Sequence, residues 1–116
     1  MPPVCYSDLA NQEVNLSKIN TYNKKTYLFY VSPSCEYCSE IQNILDTLPV
    51  SKFNRIIVCS KEKNIDYGTY RKKFKLKMED YFLIDSDDNF LHDFNINHNF
   101  SLPLIIKFNE NGVKQK

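Results

Sequence analysis

The sequence has few of the residues that several kinds of function require. It contains no tryptophan, only two glycines and only two histidines in 116 residues. Two glycines leave little scope for the glycine-rich loops that cradle phosphates. A formal net charge of +1 gives no reason to expect nucleic acid or a charged membrane surface as a partner. No apolar run approaches the roughly 18–20 residues of a membrane span, so we expect one globular domain over residues 1–116.

The compartment in which the protein works is not decided by composition. The start, Met-Pro-Pro-Val-Cys, lacks the basic region and apolar segment of a signal peptide. Two alternatives therefore stay open, a cytoplasmic protein or an exported one whose signal lies outside these residues. Of the four cysteines, two form a close pair, while Cys5 and Cys59 are isolated in sequence. A structural bridge between those two also stays open.

One stretch combines an apolar run with a close cysteine pair. The run Tyr27–Val31 meets a short polar break, Ser32–Ser34, and is followed by Cys35 and Cys38. Beyond the second cysteine, apolar residues recur at helical spacing as far as Leu48. The pattern predicts a buried strand, a turn and a helix that carries Cys-x-x-Cys in its first turn and ends before a proline.

A cysteine at the start of a helix lies where unpaired backbone N–H groups point outward. This environment stabilises the thiolate, the reactive form, and can lower a cysteine pKa from ~8.5 to ~3.5–7.5. Cys38 lies one turn after Cys35 and can close a disulfide with it. Glu36 and Glu40 are nearby acids that oppose thiolate formation. We therefore expect modest activation, which favours a reductant over an oxidant.

The rest of the chain alternates between strand and helix patterns. The expected elements are an N-terminal hairpin of Tyr6–Leu9 and Val14–Leu16, a strand Arg55–Cys59, an amphipathic helix with a solvated basic face in the second half of Ile65–Leu76, a strand Tyr81–Ile84, a turn and helix cap at Asp85–Asn89, a short helix around Phe90–Phe94, a strand Leu102–Phe108 and a return strand Val113–Gln115. Such alternation predicts an α/β domain whose first strands are parallel.

Two features of this pattern resemble the thioredoxin fold. They are Cys35-Glu36-Tyr37-Cys38 between a strand and a helix, and Leu102-Pro103 before a strand and an Asn-Gly turn. Val14–Leu16 and the segment Phe82–Ile96 resemble elements of the TlpA-like thiol–disulfide oxidoreductases within that superfamily. The resemblance implies a central mixed sheet flanked by helices, with an extra N-terminal hairpin. Since the sequence stops at Lys116, we expect no C-terminal helix.

The resemblance also implies roles for single residues. Cys35 would be the attacking cysteine, Cys38 the resolving cysteine and Pro103 a cis-proline facing their disulfide. Leu102 would offer backbone hydrogen bonds to a substrate, and Glu36 and Tyr37 would contact it. The implied partners are a disulfide-containing protein substrate and a thiol electron donor, outside the cytoplasm. No cofactor is expected.

Three residues depart from the family pattern. Ser34 stands where the family usually has tryptophan, Tyr37 where it often has proline, and Phe29 where many thioredoxins have a buried acid. These departures keep a second hypothesis open, a binding module of the same fold that has lost or specialised its redox activity. A metal site on the thiols would need more ligands, and neither His92 nor His98 has a standard spacing from the cysteines.

Overall fold

The structure, a computed structural model, describes residues 1–19, 21–97 and 100–115, with the backbone alone for Glu36. Within these residues, six strands form one sheet. The strands are β1 (Cys5–Ser7), β2 (Glu13–Asn15), β3 (Lys25–Val31), β4 (Phe53–Ser60), β5 (Tyr81–Asp85) and β6 (Leu104–Phe108). The α-helices are α1 (Ile41–Leu45), α2 (Tyr67–Lys72) and α3 (Phe90–Asp93), and 3-10 helices span Leu16–Lys18 and Glu36–Glu40.

The sheet is mixed, with the strand order β2-β1-β5-β4-β3-β6. The three central strands β5, β4 and β3 are parallel, whereas β6 pairs with β3 and β1 pairs with β5 in the antiparallel sense. Central parallel strands are covered on both faces, which accounts for the uninterrupted apolar runs of β3 and β4. The predicted α/β class, with its mixed central sheet and parallel first strands, is confirmed.

The sheet separates two apolar cores. Because successive strand residues point to opposite faces, Leu28 and Tyr30 of β3 enter one core, while Phe29 and Val31 enter the other. Helix α3 covers the first face, where the ring of Phe90 stacks on Tyr30 with a centroid distance of 4.0 Å. Helices α1 and α2 cover the second face, so both lie on the side that receives the cysteine pair.

The expected N-terminal hairpin is present as β1 and β2, which begin one residue earlier than predicted. Its turn is held by the carboxylate of Asp8, which accepts hydrogen bonds from the N–H groups of Ala10 and Gln12. The hairpin joins the sheet through the pairing of Ser7 with Ile84 on β5. It therefore extends the sheet on the edge away from β6.

The predicted helix after the cysteine pair was wrong in type and length. Residues Glu36–Glu40 wind as a 3-10 helix, and α1 ends at Leu45. Residues three apart eclipse each other in 3-10 winding, which suits two cysteines that are bridged at this spacing. The helix ends early because the N–H groups of Thr47 and Leu48 bond three residues back, at a tightened last turn.

Further boundaries also differ from the sequence prediction, and β6 begins at Leu104 rather than at the predicted Leu102. Helix α2 starts earlier than expected, because the carboxylate of Asp66 caps the N–H groups of Gly68 and Thr69. The predicted return strand is reduced to a single bridge between Phe108 and Lys114. Within residues 109–115 there is no helix after β6.

Candidate active site around Cys35 and Cys38

The cysteine pair lies at the carboxyl end of β3. The strand ends at Val31, the segment Ser32–Ser34 turns, and Cys35 takes the N-cap position of the 3-10 helix. Cys35 and Cys38 are joined by a disulfide, with Cα atoms 5.4 Å apart. The structure thus brings together the two residues that the sequence singled out, on the strand–turn–helix path that it predicted.

The two sulfurs differ in their access to solvent. Cys38 is only 2% exposed and belongs to the core on the α1 and α2 side of the sheet. Cys35 is half-buried at the surface of that same core. Cys35 is therefore the more accessible residue of the pair.

The turn before Cys35 is held by an acid that sequence reasoning missed. The hydroxyls of Ser32 and Ser34 both donate to Oε1 of Glu62, the latter over 2.7 Å. The backbone N–H of Ser34 also bonds the Ser32 hydroxyl at 3.3 Å. The two serine hydroxyls lower the pKa of Glu62, since they stabilise its carboxylate. Ser34, which replaces the family's tryptophan, is thus one half of a clamp on this turn.

Two tyrosines of α2 hold the same region from the other side. The Tyr70 hydroxyl donates to the carbonyl of Ser32 at 3.1 Å, and the Tyr67 hydroxyl accepts from the backbone N–H of Glu62 at 2.7 Å. Burial raises the pKa of Tyr70, so its hydroxyl stays a donor. Helix α2 therefore ties the loop after β4 to the loop after β3. No sequence pattern predicted these contacts, because α2 is short and its tyrosines look like ordinary core residues.

The proline expected at the site lies at the same end of the sheet. In the antiparallel pairing of β6 with β3, Leu104 stands opposite Tyr30. Pro103 immediately precedes Leu104, so it lies near the end of β3 that leads to Cys35. The peptide bond between Leu102 and Pro103 is cis. The side chain of Leu102 packs against both apolar cores.

Of the two residues between the cysteines, Tyr37 is 66% exposed. Its side chain stands clear of the core next to the disulfide. The expected substrate contact by the Glu36 side chain lies outside what the structure describes.

The space beneath the pair contains no acid at the position where many thioredoxins have one. Phe29 is fully buried there. Cys59, on β4 opposite Val31, is a buried free thiol, and burial raises its pKa to about 12. Cys5 is free and exposed, so the bridge between Cys5 and Cys59 that the sequence left open does not form.

The sequence also raised a metal site, two histidines and the acidic cluster Asp85–Asn89 as candidates. Among the described residues, no group of three or more histidine, cysteine and acidic side chains is arranged to hold a metal ion. His92 is exposed, and His98 lies outside the described residues. The carboxylate of Asp85 accepts from the N–H groups of Asn89 and Phe90, which confirms the predicted cap before α3. None of the described helices is long and apolar enough to cross a membrane.

No protein-family model and no curated protein sequence matches this chain. Several solved structures do. A thioredoxin-like protein from Bacteroides caccae has a TM-score of 0.74 and 16% identity, over 96% of this chain and 41% of its own length. The thioredoxin domain of a thiol-disulfide oxidoreductase from Bacteroides vulgatus has a TM-score of 0.71 and 17% identity, over 98% and 83% of the two chains. A secreted disulfide oxidoreductase of Mycobacterium tuberculosis, homologous to Escherichia coli DsbE, has a TM-score of 0.68 and 14% identity, over 97% and 81%.

These similarities establish the fold. The protein has a thioredoxin-like fold, as its cysteine pair and its later proline had predicted, and its structural neighbours include thiol–disulfide oxidoreductases. At identities of 14–17% a shared fold does not carry a shared substrate. The function is therefore inferred from the residues of the site itself.

Proposed function

We propose that the protein is a thiol–disulfide oxidoreductase that reduces disulfides of protein substrates with Cys35 and Cys38. The observation that carries this proposal is the bridged pair at the end of β3, with Cys35 accessible and Cys38 buried. Thiol–disulfide exchange by a cysteine pair needs one accessible sulfur that attacks the substrate disulfide and a second sulfur nearby that resolves the mixed disulfide. The resemblance of the motif segments to TlpA-like proteins supports the subgroup.

In the proposed reaction, the Cys35 thiolate attacks one sulfur of a substrate disulfide. That S–S bond breaks, a mixed disulfide forms, and the other substrate sulfur leaves as a thiolate that takes up a proton. Cys38 then loses its proton and attacks the Cys35 sulfur, which releases the second substrate thiolate. The two electrons that the substrate gains come from the cysteine pair, and a thiol electron donor reduces the pair again. No cofactor takes part.

We assign substrate contacts to the surface around the pair. Leu102, before the cis bond to Pro103, offers its backbone to an extended substrate segment at the same end of the sheet. Tyr37 offers an exposed ring between the cysteines, and Pro103 and Glu36 are the other two contacts of the proposal. The secreted Mycobacterium tuberculosis neighbour and the TlpA-like resemblance support a place outside the cytoplasm.

Reduction of insulin disulfides in the presence of dithiothreitol tests the proposal. The native protein should accelerate precipitation of the insulin chains, and Cys35→Ser should return the rate to that of dithiothreitol alone. Cys59→Ala is the matched control, because it removes a buried thiol outside the pair and should keep the acceleration. A native protein no faster than Cys35→Ser would reject the enzyme and favour the binding module instead.

A further inference from the structure

A small cavity of about 150 Å³ opens directly beside the disulfide. Cys35 and Cys38 form part of its wall, and Tyr70, Lys73 and Phe74 also line it. At about 30 Å³ for each water in the liquid, the cavity has room for about five waters. It fits one side chain next to a substrate cysteine, and not a longer segment of polypeptide.

Lys73 differs from the other basic residues of the α2 region. Its side chain is exposed, and its ammonium group lies 5.5 Å from the centroid of the Tyr70 ring, over one wall of the cavity. Among the described side chains, no carboxylate forms an ion pair with Lys73. The neighbouring Asp66 is engaged, because its carboxylate accepts from Gly68 and Thr69 at the start of α2.

We propose that this cavity selects substrates in which an acidic residue flanks the reactive cysteine. A carboxylate on the flanking residue would meet the Lys73 ammonium while its methylene groups lie against Tyr70 and Phe74. The attacked sulfur would then be presented to Cys35. This inference rests on the proposed exchange function and names the substrate class for the same site.

Trapped exchange with designed peptides tests the inference. The protein carries Cys38→Ser, so that the mixed disulfide at Cys35 persists, and Cys5→Ser, because Cys5 is exposed and would react by itself. Three peptide disulfides differ only in having Glu, Gln or Lys beside the cysteine. The Cys35 thiolate breaks the peptide S–S bond, keeps one peptide as a mixed disulfide and releases the other as a thiol, which mass spectrometry follows.

The readout is the rate of mixed-disulfide formation with the Glu peptide divided by the rate with the Lys peptide. Comparing this ratio between protein variants cancels the intrinsic reactivity of each peptide. Lys73→Gln should reduce this ratio about threefold, the size of one exposed ion pair, and Lys73→Glu should reverse the preference. Lys72→Gln is the matched control, with the same charge change on the adjacent exposed residue of α2, and should leave the ratio unchanged.

The possible outcomes distinguish a failure of this inference from a failure of the proposed exchange function. A ratio that Lys73→Gln leaves unchanged, or that Lys72→Gln lowers equally, overturns the inference and leaves exchange chemistry standing. Absence of any mixed disulfide with all three peptides rejects the exchange function instead. In that case NMR titration of the oxidised protein with peptides carrying serine for cysteine still tests the cavity. The Glu peptide should shift the Tyr70 ring signals more than the Gln peptide does, and equal shifts overturn the inference.

Discussion

Removal of the Glu62 carboxylate should loosen the turn that leads to Cys35. Glu62 accepts hydrogen bonds from Ser32, which is 6% exposed, and from Ser34 at the surface. A hydrogen bond to a charged group contributes about 1.5–3 kcal/mol, and the exposed one counts for less because water competes for it. We therefore expect Glu62→Ala to lower the free energy of unfolding by about 2 kcal/mol and Glu62→Gln, which still accepts a bond, by about 1 kcal/mol.

The effect should depend on pH in one direction. Hydrogen bonds from Ser32 and Ser34 lower the folded-state pKa of Glu62 below its ordinary value, so the ionised form stabilises the fold. That contribution is fully present above the unfolded pKa and is lost as pH falls through the lower, folded pKa. The difference between native protein and Glu62→Gln should thus be constant from pH 7 to about pH 5 and shrink below about pH 4.

Urea unfolding of the oxidised protein at several pH values is the assay. The midpoint should move without a change of slope, which separates a loss of stability from a change in the denatured state. Glu79→Gln is the control, since Glu79 is exposed and precedes β5 at the opposite end of the sheet. Equal stability of Glu62→Ala and Glu79→Gln at pH 7 would refute the clamp. If the stability difference between the native protein and Glu62→Gln grew toward acid pH, the predicted direction of the pH dependence would be refuted.

Three further predictions concern other parts of the fold. Phe90→Ala should cost about 3–5 kcal/mol in urea unfolding, because it empties a fully buried ring position; a cost under 1 kcal/mol would mean that the core on this face is loosely packed. Asp80→Ala should cost about 3–5 kcal/mol, since it leaves the buried guanidinium of Arg55 without its ion-pair partner, and calorimetry measures the loss. In the native protein at pH 8, iodoacetamide should modify the exposed Cys5 and spare Cys59, which is buried and has a pKa raised to about 12; mass mapping that finds both modified equally would contradict its burial.

Much of the fold follows from local signals in the sequence. The apolar runs of β3 and β4 mark buried parallel strands, since their residues face a core on both sides of the sheet. The Cys-x-x-Cys spacing after β3 indicated the disulfide, and the Asp85–Asn89 cluster indicated a helix cap. Each of these features depends on residues that are neighbours in the chain. The type of helix after the cysteine pair was less predictable, because 3-10 and α-helical turns have almost the same apolar spacing.

The sequence by itself therefore determined the class of fold, the redox-active candidate pair and the proline near the end of the chain. Only the tertiary structure decided what surrounds that pair. Glu62 lies 28 residues from Ser34 in a polar Lys-Glu-Lys segment, and nothing local distinguishes it from a solvated loop acid. Lys73 belongs to a run of basic residues, and only the packing of α2 beside the disulfide puts it at the cavity wall. Contacts across the fold depend on the register of strands and the docking of helices, and these are fixed when the whole core assembles.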